Sequence, residues 1–178
     1  MTNTNEENFQ FRVPHGDDRE RRICGTCGFI DYQNPRIVAG SVVTRGRKIL
    51  LCRRAIEPRK GYWTLPAGYM ELGETIEEAA AREALEEACA TIDIDRMLAS
   101  YTIPRIGQVQ IMFRAELVSD FRPGPESLET ELVDWKDIPW SQLAFPTVVW
   151  ALTHYAETRG RDGFATFSNP PGTDVITR

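Results

Sequence analysis

From Ile37 the chain reads IVAGSVVTRGRKILLCRR, two β-branched-rich runs on either side of Arg45-Gly46-Arg47-Lys48. Apolar runs joined by a short polar segment containing Gly predict a β-hairpin. The stretch Gly61-Tyr62-Trp63-Thr64-Leu65-Pro66-Ala67-Gly68 is punctuated as a Pro/Gly loop and leads into a helical pattern from about Thr75 to Cys89. Thr75, with Glu78 three residues later, forms a capping box, and Glu74, Glu77 and Glu78 suit the positive end of the helix dipole. The segments around Met97–Pro104 and Val109–Val118 alternate or run apolar as strands do, Phe121–Glu131 is a Pro/Gly/Glu-rich loop, and Leu132–Trp135 predicts a short strand. After Pro146, Val148, Ala151, Leu152 and Tyr155 recur at helical spacing and predict a second helix. The predicted order of strands, helix, strands and helix is that of an α/β domain, a mixed β-sheet with helices on both faces.

Both ends read differently from this centre. Residues 1–35 are polar and turn-rich, with Pro14, Gly16, Cys24-Gly25-Thr26-Cys27-Gly28 and Asn34-Pro35, and predict a short arm or a small knuckle. Residues 36–158 form the domain, and 159–178, beginning after Thr158 as RGRDGFATFSNPPGTDVITR, predict a flexible tail.

Composition narrows the function. A net charge of −5 and a pI near 5.2 argue against binding nucleic acid through a basic surface, which needs clustered Lys and Arg. No apolar run approaches the roughly 18 residues of a membrane span, and MTNTNEENFQF carries neither a basic n-region nor an apolar h-region, so no membrane partner is expected and the expected compartment is the cytoplasm. Of Cys24, Cys27, Cys52 and Cys89, only the first two have metal-ligand spacing.

The anomaly is the second half of the first helix. Glu83, Glu86 and Glu87 are spaced i, i+3, i+4, so they project close together, and they sit toward the helix C-terminus, where the dipole disfavours negative charge. The two penalties are roughly a few tenths of a kcal/mol each. A hard divalent cation removes both, and Mg²⁺ is typically held by one or two carboxylates together with substrate phosphates. A Glu-rich run is also what a solvated helix face looks like. The wider spacing decides between the two: Gly68, five residues, Glu74, seven residues, then Arg82-Glu83-Ala84-Leu85-Glu86-Glu87-Ala88-Cys89-Ala90.

That pattern resembles the box of the Nudix hydrolases. It departs at Cys89, where the family has a glycine that closes the helix, which bears on the helix cap more than on the chemistry. The resemblance implies an α/β/α sandwich and metal-assisted hydrolysis of a nucleoside diphosphate linked to another moiety. It implies Glu83 and Glu87 as direct ligands of Mg²⁺ or Mn²⁺, Glu86 as a third ligand or the group that polarises a water, and the Gly68 carbonyl as a further ligand. Arg82, four residues from both Glu78 and Glu86, is expected to hold carboxylates in place, and Glu74 to anchor the loop through it. Glu126 and Glu129 lie in the loop from which family members supply a late catalytic carboxylate, and both also read as residues that merely solvate it.

NPRIVAGSVV, LLCRRAIEPRKGYWTLPAGYMELGET and IPWSQLAFPTV extend the resemblance to the group that cleaves ADP-ribose or FAD. Members of that group often begin with a zinc ribbon of two Cys-x-x-Cys pairs. Here residues 1–23 contain no cysteine, so Cys24 and Cys27, with His15 as one further donor, supply zinc incompletely, and the segment otherwise serves as a turn. Trp63, Tyr69 and Phe145 are candidates to stack on a base, and Arg53 or Arg54 to contact phosphate. The NADH pyrophosphatase branch is the nearer alternative, although its Ser-Gln-Pro-Trp-Pro-Phe-Pro array is absent and TIDIDRMLASYTIP stands after Ala90. A non-catalytic nucleotide sensor is the other, and the retained glutamates argue against it. A homodimer is expected from the resemblance alone.

Overall fold

The computed structural model describes residues 8–173; the extremes of the expected arm and tail, 1–7 and 174–178, lie outside the described residues. The chain divides into two units, 1–34 and 35–178.

In the first unit, β1 (Phe9–Arg12), β2 (Arg21–Cys24) and β3 (Ile30–Asp31) form an antiparallel sheet in the order β1-β2-β3. So small a sheet has little apolar surface to bury, and Ile23 supplies its buried hydrophobic side chain. Polar contacts do the rest. Asp17 accepts from the backbone N–H groups of Asp18 and Arg19 and from Arg21 Nε at 2.8 Å, while Arg22 pairs with Asp31 and lies 4.3 Å over the Phe9 ring. Cys24 and Cys27 stand on a turn closed by the Gly28 N–H donating to the Cys24 carbonyl at 2.9 Å.

The second unit is a mixed sheet between two helices. Its strands are β4 (Arg36–Arg45), β5 (Lys48–Arg54), β6 (Trp63–Thr64), β7 (Ala67–Tyr69), β8 (Ile92–Ile103), β9 (Gln108–Leu117) and β10 (Ser127–Asp134). The order is β10-β5-β4-β9-β8, with β6 on β5 and β7 on β4; β4 and β9 run parallel and the other pairs antiparallel. Side chains alternate between faces along each strand. Val42, Ile49, Leu51 and Met112 therefore pack with Val148, Ala151 and Leu152 of α2 (Pro146–Thr158), whereas Val43, Leu50, Cys52, Ala115 and Leu117 pack with Ala88 of α1 (Ile76–Ala88). Ala39 and Phe113 cluster with Ala79 and Ala80 of α1. This is the α/β/α sandwich expected.

Four elements differ from the expectations. Trp63–Thr64 and Ala67–Tyr69, read as loop, are short strands, because the Pro/Gly punctuation breaks them up without preventing pairing to β5 and β4. β10 begins at Ser127, inside the segment read as loop, and bulges between Ser127 and Glu129. The described part of the tail, which was expected to be flexible, is fastened through Phe167 and Asn169 to the outer edge of β8. Phe167 donates its N–H to Leu98 O at 2.9 Å and accepts from Ser100 N at 3.0 Å, and the Asn169 side chain bonds both backbone groups of Thr102 at 2.9 Å. An exposed sheet edge is a template for unwanted pairing, and this segment covers it.

One detail of topology positions the site. β9 occupies one edge of β4 from Arg36 to Thr44, while the other edge changes partner, taking β7 at Val38–Gly40 and β5 at Thr44–Arg45.

Candidate active site

α1 begins as its sequence dictates. Thr75 Oγ1 accepts from the Glu78 N–H at 3.2 Å, and the Glu78 carboxylate accepts from the Thr75 N–H at 2.7 Å. Ala79, Ala80, Ala84 and Ala88 form a buried stripe of small side chains, which lets the helix lie close to the sheet, and Glu83 and Glu87 fall on that stripe at 8% and 5% exposure. Glu86 points to the exposed rim.

The helix ends on Cys89, in the left-handed conformation (φ 47°, ψ 34°) that the absent glycine would favour, with its N–H donating to Ala84 O. Beyond it the Arg122 and Gly124 N–H groups cap Ala88 O at 2.9 Å and Glu87 O at 3.0 Å. A Cβ on Gly124 would lie 1.7 Å from Glu86 O, so only glycine allows this approach.

Arg82 organises the acidic groups. Its Nε and Nη2 form a bidentate pair with Glu74 at 3.0 and 2.9 Å, Nη2 also donates to the Tyr69 carbonyl at 2.9 Å, and Nη1 donates to Glu83 at 2.7 Å and Glu86 at 3.1 Å. Glu74 also accepts from the Glu71 N–H at 2.6 Å, and these bonds hold its carboxyl down at about 2. Arg82 thus ties the loop before α1 to the helix. Gly68 lies against Glu83 so closely that a Cβ there would be 2.4 Å from the carboxylate.

Glu83 and Glu87 are not neutralised in the same way. Burial pushes Glu83 above the ordinary carboxylate value against the pull of Arg82. Glu87 is pushed up to about 8, first by burial and then by the charge of Glu83, with Arg54 and the Ala67 N–H opposing. Its Oε2 is buried with no hydrogen-bond partner. An unsatisfied buried carboxylate oxygen beside a second carboxylate is a cost that a divalent cation removes. The hard oxygen donors of Glu83, Glu87 and Glu86 with the adjoining Gly68 backbone therefore fit Mg²⁺. Among the described residues no three His, Cys, Asp or Glu side chains already converge as a complete ligand set. An ion that draws its remaining ligands from water and substrate phosphates does not require one.

The carboxylates open into a cavity of about 660 Å³. Its lining includes Gly68, Arg82, Glu83, Glu86, Glu87 and Glu126, the apolar side chains of Ile103, Met112, Phe145, Val148 and Trp150, and the polar side chains of Arg54, Tyr69, Arg105, Gln108 and Gln110. Arg54 is aimed by its Nε donating to Pro58 O at 2.8 Å and by stacking over Phe145 at 5.3 Å. The structure thus gathers Gly68, Arg82, Glu83, Glu86, Glu87, Glu126, Arg54, Tyr69 and Phe145. Arg53, Glu129 and Trp63 lie outside the lining. Arg53 donates to Glu129 at 2.8 Å and to Gly61 O at 2.9 Å across the β5–β10 pair, and Trp63 packs against the α2-side core. Arg105, Gln108 and Gln110 were not anticipated. The signal for the two glutamines was the alternation Gln108-Val109-Gln110-Ile111-Met112, which puts amides on every second position of an apolar strand.

The two thiols of the first unit do not fit tetrahedral zinc. Cys24 and Cys27 supply two of four ligands, and among the described residues no third joins them; His15 is exposed. Backbone N–H groups of Cys27 and Thr26 lower the Cys24 thiol, a property of the turn itself.

Comparison with known proteins places these features in context. The NUDIX domain family matches residues 34–157, and the Nudix N-terminal family, a zinc ribbon, matches residues 7–33. An ADP-ribose pyrophosphatase of Methanocaldococcus jannaschii is 32% identical over 119 residues, 64% of this chain and 69% of that protein. An NAD-capped RNA hydrolase, NudC, of Stutzerimonas stutzeri is 35% identical over 121 residues, 65% of this chain and 42% of that protein. Among solved structures, a NUDIX hydrolase from Nitrosomonas europaea superposes with a TM-score of 0.84 at 44% identity, over 90% of this chain and 93% of that one.

Proposed function

The chain belongs to the Nudix hydrolases, and from that premise we propose that it cleaves the diphosphate linkage of ADP-ribose or FAD with the help of Mg²⁺ or Mn²⁺. The observation that carries the catalytic reading is the buried, unpartnered Glu87 Oε2 beside Glu83 at the floor of the cavity. Glu83, Glu87 and Glu86, with the Gly68 carbonyl, would hold the cation, which would supply charge neutralisation of the adjacent phosphates and a lowered pKa for a bound water. Arg82 keeps Glu83 and Glu86 in register, Arg54 in the cavity lining is our candidate to contact the phosphates, and Glu126 in the same lining is our candidate to accept the proton of the attacking water. Glu129, bound to Arg53 outside the cavity, is not. The apolar wall around Phe145 and Trp150 takes the base, and the cavity volume suits a small nucleotide derivative.

The relatives that act on NAD-capped RNA and NAD(P)H make NADH the second substrate to test. Phosphate-coupled turnover of ADP-ribose, FAD and NADH in Mg²⁺, comparing wild type with Glu87→Gln, tests the reading. Turnover of ADP-ribose or FAD that collapses in the variant is the expected result. Undiminished turnover in the variant removes Glu87 from the ligand set, and tight binding without turnover in the wild type makes the chain a sensor.

A further inference from the structure

Tyr69, Gln108 and Gln110 form a hydrogen-bonded row along one wall of the cavity. Gln110 Nε2 donates to Gln108 Oε1 at 3.1 Å, and Gln108 Nε2 donates to the Tyr69 hydroxyl at 2.9 Å. Strand register fixes the row. Val38 pairs with Tyr69 on one side and with Gln110 on the other, and residues directly opposite across a sheet point to the same face. Arg36, paired with Gln108, lies 5.0 Å over the Tyr69 ring and holds it against the sheet.

The row is joined to the acidic floor through Tyr69, whose carbonyl accepts from Arg82 and whose neighbour Gly68 abuts Glu83. Successive side chains on a strand point to opposite faces, so Tyr69 turns away from the Gly68–Glu83 contact toward the row, and the carboxylates and the row line the same cavity. A group esterified to a phosphate seated at the carboxylates therefore shares its cavity with this row. The row keeps unused capacity on both sides of the hydrogen-bond balance. The Tyr69 O–H, already accepting from Gln108, has its own proton to give, and the Gln110 carbonyl oxygen and remaining amide hydrogens are uncommitted within the row. Alternating donors and acceptors match vicinal hydroxyls, each of which both gives and takes. They offer nothing specific to an alkyl chain, and a third phosphate would meet acceptor oxygens as well as donors.

Resting on the proposed diphosphate hydrolysis, we infer that Tyr69, Gln108 and Gln110 read the hydroxyls of the moiety attached to the diphosphate. They select sugar- or polyol-linked nucleoside diphosphates over alkyl esters and nucleoside triphosphates. The test measures equilibrium binding, by calorimetry at one fixed Mg²⁺ concentration, of two non-cleavable α,β-methylene compounds: the ADP-ribose analogue and the pentyl ester of ADP. Wild type is expected to prefer the ribose compound by roughly tenfold, the worth of one or two neutral hydrogen bonds. The double variant Gln108→Met/Gln110→Met brings the ratio toward one, and Tyr69→Phe, which keeps the ring against the sheet, lowers it partway. Thermal unfolding confirms that each variant is folded. A ratio near one in wild type, or one unchanged in all variants, overturns the inference. A wild type that shows the preference but never turns over ADP-ribose refutes the proposed function and leaves the row intact. Turnover of ADP-ribose with no preference does the reverse.

Discussion

The two helices of the second unit each bury a titratable side chain against opposite faces of one sheet, and they treat it oppositely. On α2, His154 shares a 2.7 Å hydrogen bond with the Tyr101 hydroxyl and stacks on Phe167 at 4.3 Å, so burial leaves it satisfied and neutral. On α1, Glu87 is more deeply buried, keeps one oxygen without a partner and stands beside a second carboxylate. The first arrangement is what stability alone selects; the second makes sense only if a ligand completes it. The contrast separates a packing residue from a working one by hydrogen-bond accounting rather than by residue type.

The largest expected effect breaks the contrast at Glu87. Glu87→Gln should lower turnover at least ~100-fold, about 3 kcal/mol of barrier, while the protein stays folded, because the amide relieves the buried charge. Wild type without metal should also respond to pH. The folded carboxyl lies at about 8 against an unfolded value of 4.5, so its contribution to stability is complete below 4.5 and is lost as pH rises through 8. Thermal unfolding in metal-free buffer should show that loss in wild type and not in Glu87→Gln; parallel curves would mean that Glu87 is already compensated.

Arg82→Met comes next, and it acts on the same side of the comparison. It leaves the largely buried Glu83 without its cation and releases Glu74 and Glu86, so destabilisation of about 3 kcal/mol is expected. Turnover should fall as well, since Glu83 is no longer oriented. Urea unfolding checks the first and initial rates the second, and a variant as stable as wild type would show that Arg82 is dispensable to the loop.

On the satisfied side the effects are smaller. Tyr101→Phe should cost about 1–2 kcal/mol, because it leaves the His154 ring nitrogen buried and unbonded. Burial depresses His154 below its ordinary 6.5, so the folded state binds its proton less readily than the unfolded chain. Its contribution to stability is full above 6.5 and declines as pH falls below that. Wild type should therefore melt at lower temperature as pH drops from 7 to 5, and His154→Phe should flatten that part of the curve; no change in slope would assign it to other groups.

Local signals in the sequence reach most of α1 and its acids. The capping box, the hairpin around Gly46 and the spacing of Glu83, Glu86 and Glu87 depend on neighbours within one or two turns of chain. What escaped depends on long-range register. Whether Arg53 or Arg54 faces the cavity is a question of strand parity, settled by the pairing of Arg53 with Glu129. The same holds for Gln108 and Gln110, whose face is set by β4. The tail reads as turn-rich because Gly and Pro make up five of its twenty residues, yet Phe164 and Phe167 were its apolar signal, and both pack onto the α2-side core.

The smallest effect sharpens the comparison at the helix ends. α2 runs out into extended backbone at Arg159 (φ −57°, ψ 130°), a conformation open to any residue, whereas α1 turns left-handed at Cys89. A residue with a Cβ held there costs roughly 1–2 kcal/mol relative to glycine, partly repaid because glycine gains more freedom in the unfolded chain. Cys89→Gly should therefore raise stability by about 0.5–1 kcal/mol, a shift of a few degrees in melting temperature for a unit of this size. Turnover should be unaffected, since the Arg122 and Gly124 amides, rather than the Cys89 side chain, cap the last carbonyls of the helix that carries Glu87. Calorimetry and initial rates on the one variant measure both. A gain in stability accompanied by a loss of turnover would mean that the left-handed Cys89 is part of the active site's construction, and α1 would then differ from α2 at its end as well as at its buried acid.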